Sequence, residues 1–461
     1  MSSLIPADVV IEQGLKALGS DRGIVIVRDG SQAEIRFANN TVTTNGVRRS
    51  RDVTVIAVVN REGGVATGIA SRSGDVDIVS LVNAAKAEAS TAPLSTDAFA
   101  FVEAIVDADF EAPPAINDLD ILDPVLGGLG ASMEKAEDRG VTLAGFAEHA
   151  LETISVGSTS GLRRRHVQPT GAFQLVGRAD GGKRSSWVGM ATPDFIDVNL
   201  DHIEENLYRR LEWATKQLEF PAGRYETLLP SSAVADLTAF AVWMAGGQDS
   251  EDGGTVFSKT GGGTRIGEKL STLPFSVRSN PFEKGLEALP FVVARSSSAA
   301  ESVFDNGLSL APTSWIENGT LTNLHYHRAG AARSGRPATP PIDNLIVEVP
   351  GATGTIDDMI KNTERALLVT CLWYIRVVDP TTLLVTGLTR DGVYLVENGS
   401  VVGQVNNFRF NESPIDMLAR STEAGAPSRT LAREFGEYLN RAATCPLRVA
   451  DFNMSSVSQA S

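Results

Sequence analysis

Cysteine is nearly missing from this chain: Cys371 and Cys445 are the only two in 461 residues. Two thiols cannot build a disulfide framework, and a lone pair in so long a chain suits a reducing compartment. Aromatic residues are sparse, at 6%. No apolar run approaches the ~20 residues of a membrane-spanning helix. The longest, 366–375, contains Thr370 and stops at Arg376. The first 19 residues carry Asp8 and Glu12 and lack a basic segment ahead of an apolar core, so they read as a first helix and not as a signal peptide. These absences predict a soluble, cytoplasmic protein.

Positive charge is also in deficit. The net charge is −15, and an acidic surface repels phosphate backbones. The densest basic stretch, Arg163 to Arg165 followed by His166, reads as a solvated strand end. Neither nucleic acid nor a membrane is an expected partner. Phosphate-loop chemistry fails on one residue: 262–267 has the glycine spacing, but Glu268 stands where the phosphate-binding lysine belongs. The string 157–161 resembles a nucleophile elbow only loosely, with Thr159 at its centre and a strand after it.

Histidine is scarce too. His149, His166, His202, His325 and His327 are the full set, and none forms H-E-x-x-H or H-E-x-x-x-H. Such strings set two imidazoles one helical turn apart on one ion, with glutamate as base. His325 and His327 lie two apart on a predicted strand, share a face there, and could hold two corners of a metal site. No third ligand is evident, although Cys371, Cys445 or a carboxylate could converge on them. Cys371, inside an apolar run, reads as a buried small hydrophobe.

What is abundant is glycine, 43 residues, which implies many tight turns. Strands are expected at 23–28, 33–37 and 53–59, with turns at Asp29-Gly30 and Gly63-Gly64. A meander of short strands follows at 142–149, 151–157, 163–168, 173–178 and 185–190, one of its turns falling at Pro169-Thr170-Gly171. Helices are expected over 77–89, 118–138, 199–218 and 232–244, the last with Ser231 or Ser232 as cap. Pro221 to Gly223 marks the domain boundary. The glycine-rich stretch 246–267 is either a mobile lid or an extended surface loop. Asn318-Gly319 and Asn398-Gly399 are hairpin turns, because Asn-Gly accepts the positive φ angles of a type I′ turn.

Several C-terminal strings carry a resemblance. Asp305-Asn306-Gly307, Pro312 and Trp315-Ile316-Glu317-Asn318-Gly319 are followed by 329–336, then by Pro341-Ile342-Asp343-Asn344-Leu345 and 383–404. In order and spacing they resemble the TldD/PmbA metallopeptidase family over nearly the whole chain. That resemblance implies an α+β fold of two domains, an N-terminal sheet-and-helix domain (1–220) and a strand-rich, barrel-like C-terminal domain (221–461). Active members carry H-E-x-x-x-H on the helix after the boundary and a further cysteine ligand near the C-terminus. Here that helix reads Ala233-Val234-Ala235-Asp236-Leu237-Thr238-Ala239-Phe240-Ala241, and Cys445 has no histidines to complete.

The resemblance therefore implies a TldE (PmbA)-like subunit with no catalytic and no metal-binding residue of its own. It would pair with an H-E-x-x-x-H subunit holding the zinc, in a heterodimer that cleaves unfolded peptides. Tyr374, Arg376 and Arg390 are the expected peptide-facing residues, since aromatics and arginine favour recognition surfaces, with His325 and His327 beside them. Two alternatives stand: a homodimeric peptide-binding or regulatory protein, and a stand-alone hydrolase with an atypical site at His325 and His327.

Overall fold

The structure, a computed structural model, describes residues 5–458. Its N-terminal part is one antiparallel sheet in the order β3-β2-β1-β4-β5-β6, formed by β1 (Arg22–Ala38), β2 (Thr41–Arg61), β3 (Gly64–Ser73), β4 (Val141–Ser158), β5 (Arg163–Ala179) and β6 (Arg184–Thr192). Strands of 17, 21 and 18 residues replace the shorter ones expected. Asp29-Gly30 is not a turn but sits mid-strand, with Asp29 opposite Arg51. The chain turns instead at Asn39-Asn40, both at positive φ. Pro169 is likewise inside β5, opposite Leu151 of β4. Its missing N–H costs nothing, because β6 begins pairing only at Gly171 on the other side.

Side-chain alternation along β1 assigns its two faces. Val25 and Val27 pack with Val53 and Val55 under α1 (Ala7–Leu18) and α2 (Ile78–Thr91). Further along the same face, Ala33, Ile35 and Phe37 meet Leu143 and Phe173 under α3 (Asp123–Asp138) and α4 (Leu200–Trp213). At about 3.3 Å per residue, β1 spans some 56 Å, long enough to seat two helix pairs in succession. α2 rests directly on Gly68, where a Cβ would lie 2.1 Å from the Ala85 carbonyl oxygen. Pro124 does not break α3, because it occupies the first turn, after a 3-10 turn at Leu119–Leu122. α4 ends at Trp213, short of the expected 218, as Gln217–Leu218 pairs with a C-terminal strand.

The opposite face of the sheet, with Ile24, Ile26, Ile56 and Ile154, is covered by Phe291, Val303 and Phe304 from the C-terminal part. Here the basic stretch departs from its solvated reading. Arg163 pairs with Glu12 and Arg165 with Asp109. Arg164 bonds Asp107, the Gly307 carbonyl and Ser309, with its guanidinium 4.4 Å from the Phe291 ring centroid. Arg164 thus ties the two parts together, while Arg163 and Arg165 are paired within the N-terminal part.

The C-terminal part holds a ten-stranded sheet, in which Gly223–Leu229 lies between Leu447–Val457 and Arg365–Val369, and a six-stranded sheet running from Thr320–Leu321 to Ser428–Thr430. Both expected hairpins form at Asn318-Gly319 and Asn398-Gly399, every turn residue at positive φ. One core cluster takes residues from both sheets and from α5 (Ser231–Trp243). α5 is capped by neither Ser231 nor Ser232; Pro230 holds the cap position, and the Ser231 hydroxyl meets that of Ser428. The stretch 246–267 opens with a short helix, Gly247–Glu251, and is anchored through buried Val256 and Phe257. Among the described residues, no helix is long and apolar enough to cross a membrane.

Candidate functional site

Every residue of α5 from Ala233 to Ala241 is buried. A helix apolar on all sides belongs in the middle of a core, so its two polar side chains require partners there. Thr238 donates back to the Val234 carbonyl. Asp236, fully buried, accepts three backbone N–H groups from one turn: Arg433 at 3.0 Å, Glu434 at 2.9 Å and Phe435 at 3.2 Å. Burial pushes its carboxyl up to about 8, while those N–H groups pull the other way. Asp236 thereby fixes the turn 433–438 against the C-terminal half of α5.

That turn carries aromatic side chains to the helix end. The Phe435 ring stands edge-on to Phe240 at 5.1 Å and to Trp243 at 5.0 Å, and Tyr438 approaches Trp243 at 6.4 Å. Trp243 and Tyr438 remain 43% and 68% exposed, unusual for such large rings. They stand at the rim of a cavity of about 410 Å³ whose walls include Ala239 and Val242 of α5, Phe291, Leu310, Ile342 and Leu439. Mostly apolar walls around a few polar groups are the usual make-up of a ligand site.

Two of the polar groups in this cavity are His325 and Glu301. His325 is held by its backbone, which donates to Ala245 and accepts from Gly247. Its ring packs edge-on to Trp315 at 4.5 Å and is 3% exposed. Burial pushes its pKa down to about 4, so the imidazole is neutral at physiological pH, and its Nε2 has no hydrogen-bond partner. Burial also raises the carboxyl of Glu301, with no neighbouring charge or hydrogen bond opposing the shift.

His327 does not share a strand face with His325. It is the N-cap of the helix Arg328–Ser334, its Nδ1 accepting the Gly330 N–H. His327 is itself extended, but the helix begins at the next residue, and 325–327 make only isolated bridges and no strand. Tyr374, Arg376 and Arg390 gather elsewhere, around Trp373 on the edge strand Leu372–Asp379. Tyr374, at φ +52° and 56% exposed, packs on Trp373 at 5.6 Å. Arg376 lies 5.9 Å from the Tyr374 ring centroid, and Arg390 5.8 Å from that of Trp373. Arg433 lies between Trp373 and Trp187, and Arg376 pairs with Glu434. The turn 433–438 therefore contributes to both places, the cavity and this aromatic and cationic surface.

Zinc does not fit the side chains present. α5 supplies no histidine or cysteine, and its one carboxylate is already engaged by three N–H groups. Cys445 is fully buried, and burial pushes its thiol up to about 12. Among the described residues no group of three or more His, Cys, Asp or Glu side chains is placed to hold a metal ion. Sequence reasoning missed Asp236, Trp243, Glu301 and Tyr438. Asp236 left a signal, a lone acid in an apolar helix; the others left none.

Comparison with known proteins decides the family. Residues 222–456, just over half the chain, match the model of the PmbA/TldA metallopeptidase C-terminal domain. The chain belongs to the PmbA/TldD family. No curated protein sequence matches it. Its fold is that of TldE from Thermococcus kodakarensis, with a TM-score of 0.77 at 14% identity over 97% of this chain and 99% of that one. A putative modulator of a DNA gyrase from Thermotoga maritima matches with a TM-score of 0.75 at 15% identity, over 96% and 99%. A putative modulator of DNA gyrase from Bacteroides thetaiotaomicron gives 0.71 at 12%, over 97% and 98%.

Proposed function

We propose that this PmbA/TldD family member is the non-catalytic subunit of a two-chain zinc peptidase acting on unfolded peptides. The observation that carries the reading is α5. Active members bear H-E-x-x-x-H on the corresponding helix, whereas this one offers only Asp236, whose carboxylate is spent on the turn 433–438. The zinc, the base and the activated water then belong to the partner. This chain contributes the cavity beside α5 and the surface around Trp373, Tyr374, Arg376 and Arg390 as walls of the peptide path. An apolar pocket with an aromatic rim suits unfolded chains, which expose the side chains that folded proteins hide.

The test is reconstitution. The purified chain is assayed on an unfolded polypeptide alone and mixed with a family member that carries H-E-x-x-x-H, with zinc measured in both samples. Cleavage and stoichiometric zinc only in the mixture support the proposal. Chelator-sensitive cleavage by this chain alone defeats it.

A further inference from the structure

Another cavity, of about 340 Å³, opens where the two parts of the chain meet. It lies between β6, the last turn of α4, the first turn of α5 and the strand Ser428–Thr430. In a chain of net charge −15, its lining holds one cation, Arg210, and no aspartate or glutamate. The nearest acids along the chain, Asp357 and Asp358, are engaged by Arg209 and Thr355. Arg210 donates from Nη1 to the Trp187 carbonyl and, among the described residues, pairs with no carboxylate. Burial, the largest influence on it, pulls its pKa down, so an anion beside it would be stabilising. Donors surround the same space. Pro230 holds the cap position of α5, no side chain caps that helix, and the N–H groups of Ser231 and Ser232 in its first turn have no acceptor. The Thr430 hydroxyl, on a residue only 7% exposed, makes no hydrogen bond. Ser231 and Ser428 share one bond between their hydroxyls, which leaves one O–H over. What the cavity lacks is an acceptor that carries negative charge.

We propose that this cavity binds a carboxylate, that of a peptide C-terminus, held by Arg210, by the first turn of α5 and by the Thr430 hydroxyl. One guanidinium balances one charge, which suits a carboxylate better than a phosphate dianion in a protein already acidic. The planar fork of arginine meets both carboxylate oxygens. Trp187, Val188, Ile356 and Pro427 supply apolar wall for the terminal side chain. Trp187 also leads to the aromatic and cationic surface, since Arg433 lies 5.5 Å from its ring centroid and 4.4 Å from that of Trp373. The assignment rests on the reading that this chain handles peptides, and it gives their path an end.

The experiment is calorimetric titration of the full-length chain with N-acetylated ten-residue Gly/Ser peptides ending in leucine, as the free acid or the C-terminal amide. The acid should bind about tenfold or more tighter, the range of one charge-assisted hydrogen bond. In Arg210→Met the acid-to-amide ratio should fall to about one. Thr430→Val, which removes one hydroxyl and keeps the side chain's shape, should weaken the acid by about threefold or more and leave the amide unchanged. It carries the test if circular dichroism shows Arg210→Met unfolded. Equal binding of acid and amide overturns the proposal, as does a ratio that survives in folded Arg210→Met or in Thr430→Val. Sodium acetate should displace the acid peptide better than inorganic phosphate at equal ionic strength; the reverse order overturns the carboxylate assignment. If neither peptide binds while the reconstituted pair still cleaves, the pocket is refuted and the subunit role stands. Acid-selective binding without reconstituted cleavage refutes the subunit role and leaves the pocket.

Discussion

Removing the Asp236 carboxylate tests how the cleft is held together. Asp236→Ala removes the acceptor of three half-buried backbone N–H groups, those of Arg433, Glu434 and Phe435. At about 1–1.5 kcal/mol each, the loss is about 3–5 kcal/mol, or roughly 10 °C in Tm for a unit of this size. Asp236→Asn keeps a carbonyl oxygen for Glu434 and Phe435 but turns an NH2 toward the Arg433 N–H, costing about 1–3 kcal/mol. The control is Thr238→Val, two residues along the same helix and as deeply buried. Its hydroxyl bonds a carbonyl already serving the helix, so about 1 kcal/mol or less is expected. The assay is urea unfolding followed by circular dichroism and tryptophan emission. Emission should shift red in Asp236→Ala as Phe435 and Tyr438 leave Trp243. Because burial raises this carboxyl to about 8 from 3.8, the folded chain holds the proton more tightly than the unfolded chain. Its contribution is complete below pH ~4 and is lost as pH rises through about 8. Asp236→Asn, with no proton to lose, should lack that decline. Asp236→Ala within about 1 kcal/mol of Thr238→Val would refute the account.

At the Asn-Gly hairpin, Gly319→Ala meets both positive φ and a Cβ 2.6 Å from the Ser271 carbonyl oxygen, whereas Gly263→Ala has positive φ and open space. Thermal unfolding should show about 2–4 kcal/mol for the first against about 1–2 kcal/mol for the second. Arg51 bonds Asp29 through two nitrogens, at 2.6 and 2.9 Å, with both side chains buried. Arg51→Ala should cost about 3–5 kcal/mol in denaturant unfolding, and the paired change Arg51→Met with Asp29→Leu should recover most of it. Both cysteines are buried, and burial raises both thiols. A thiol-titrating disulfide reagent at pH 8 should therefore find none in the folded chain and two after unfolding.

Local chemistry made much of this protein legible in its sequence. The Asn-Gly turns at 318–319 and 398–399 required positive φ. The apolar stripes of α2 and α4 required a face to bury, and the ordered C-terminal strings pointed to the family. Strand length was not local. Asp29-Gly30 and Pro169-Thr170-Gly171 carry turn chemistry, yet both lie inside long strands, because pairing with β2 and β4 along their whole length outweighs local preference. Nor could the sequence show that Asp236 reaches across about 200 residues to the turn 433–438, or that His325 and His327 part ways where a helix cap intervenes. The cavity itself exists only in three dimensions. Its walls come from α5, from 289–310, from 325 and from 341–345 and 438–439, segments far apart in the chain. What surrounds a buried His325 depends on packing, not on the order of residues.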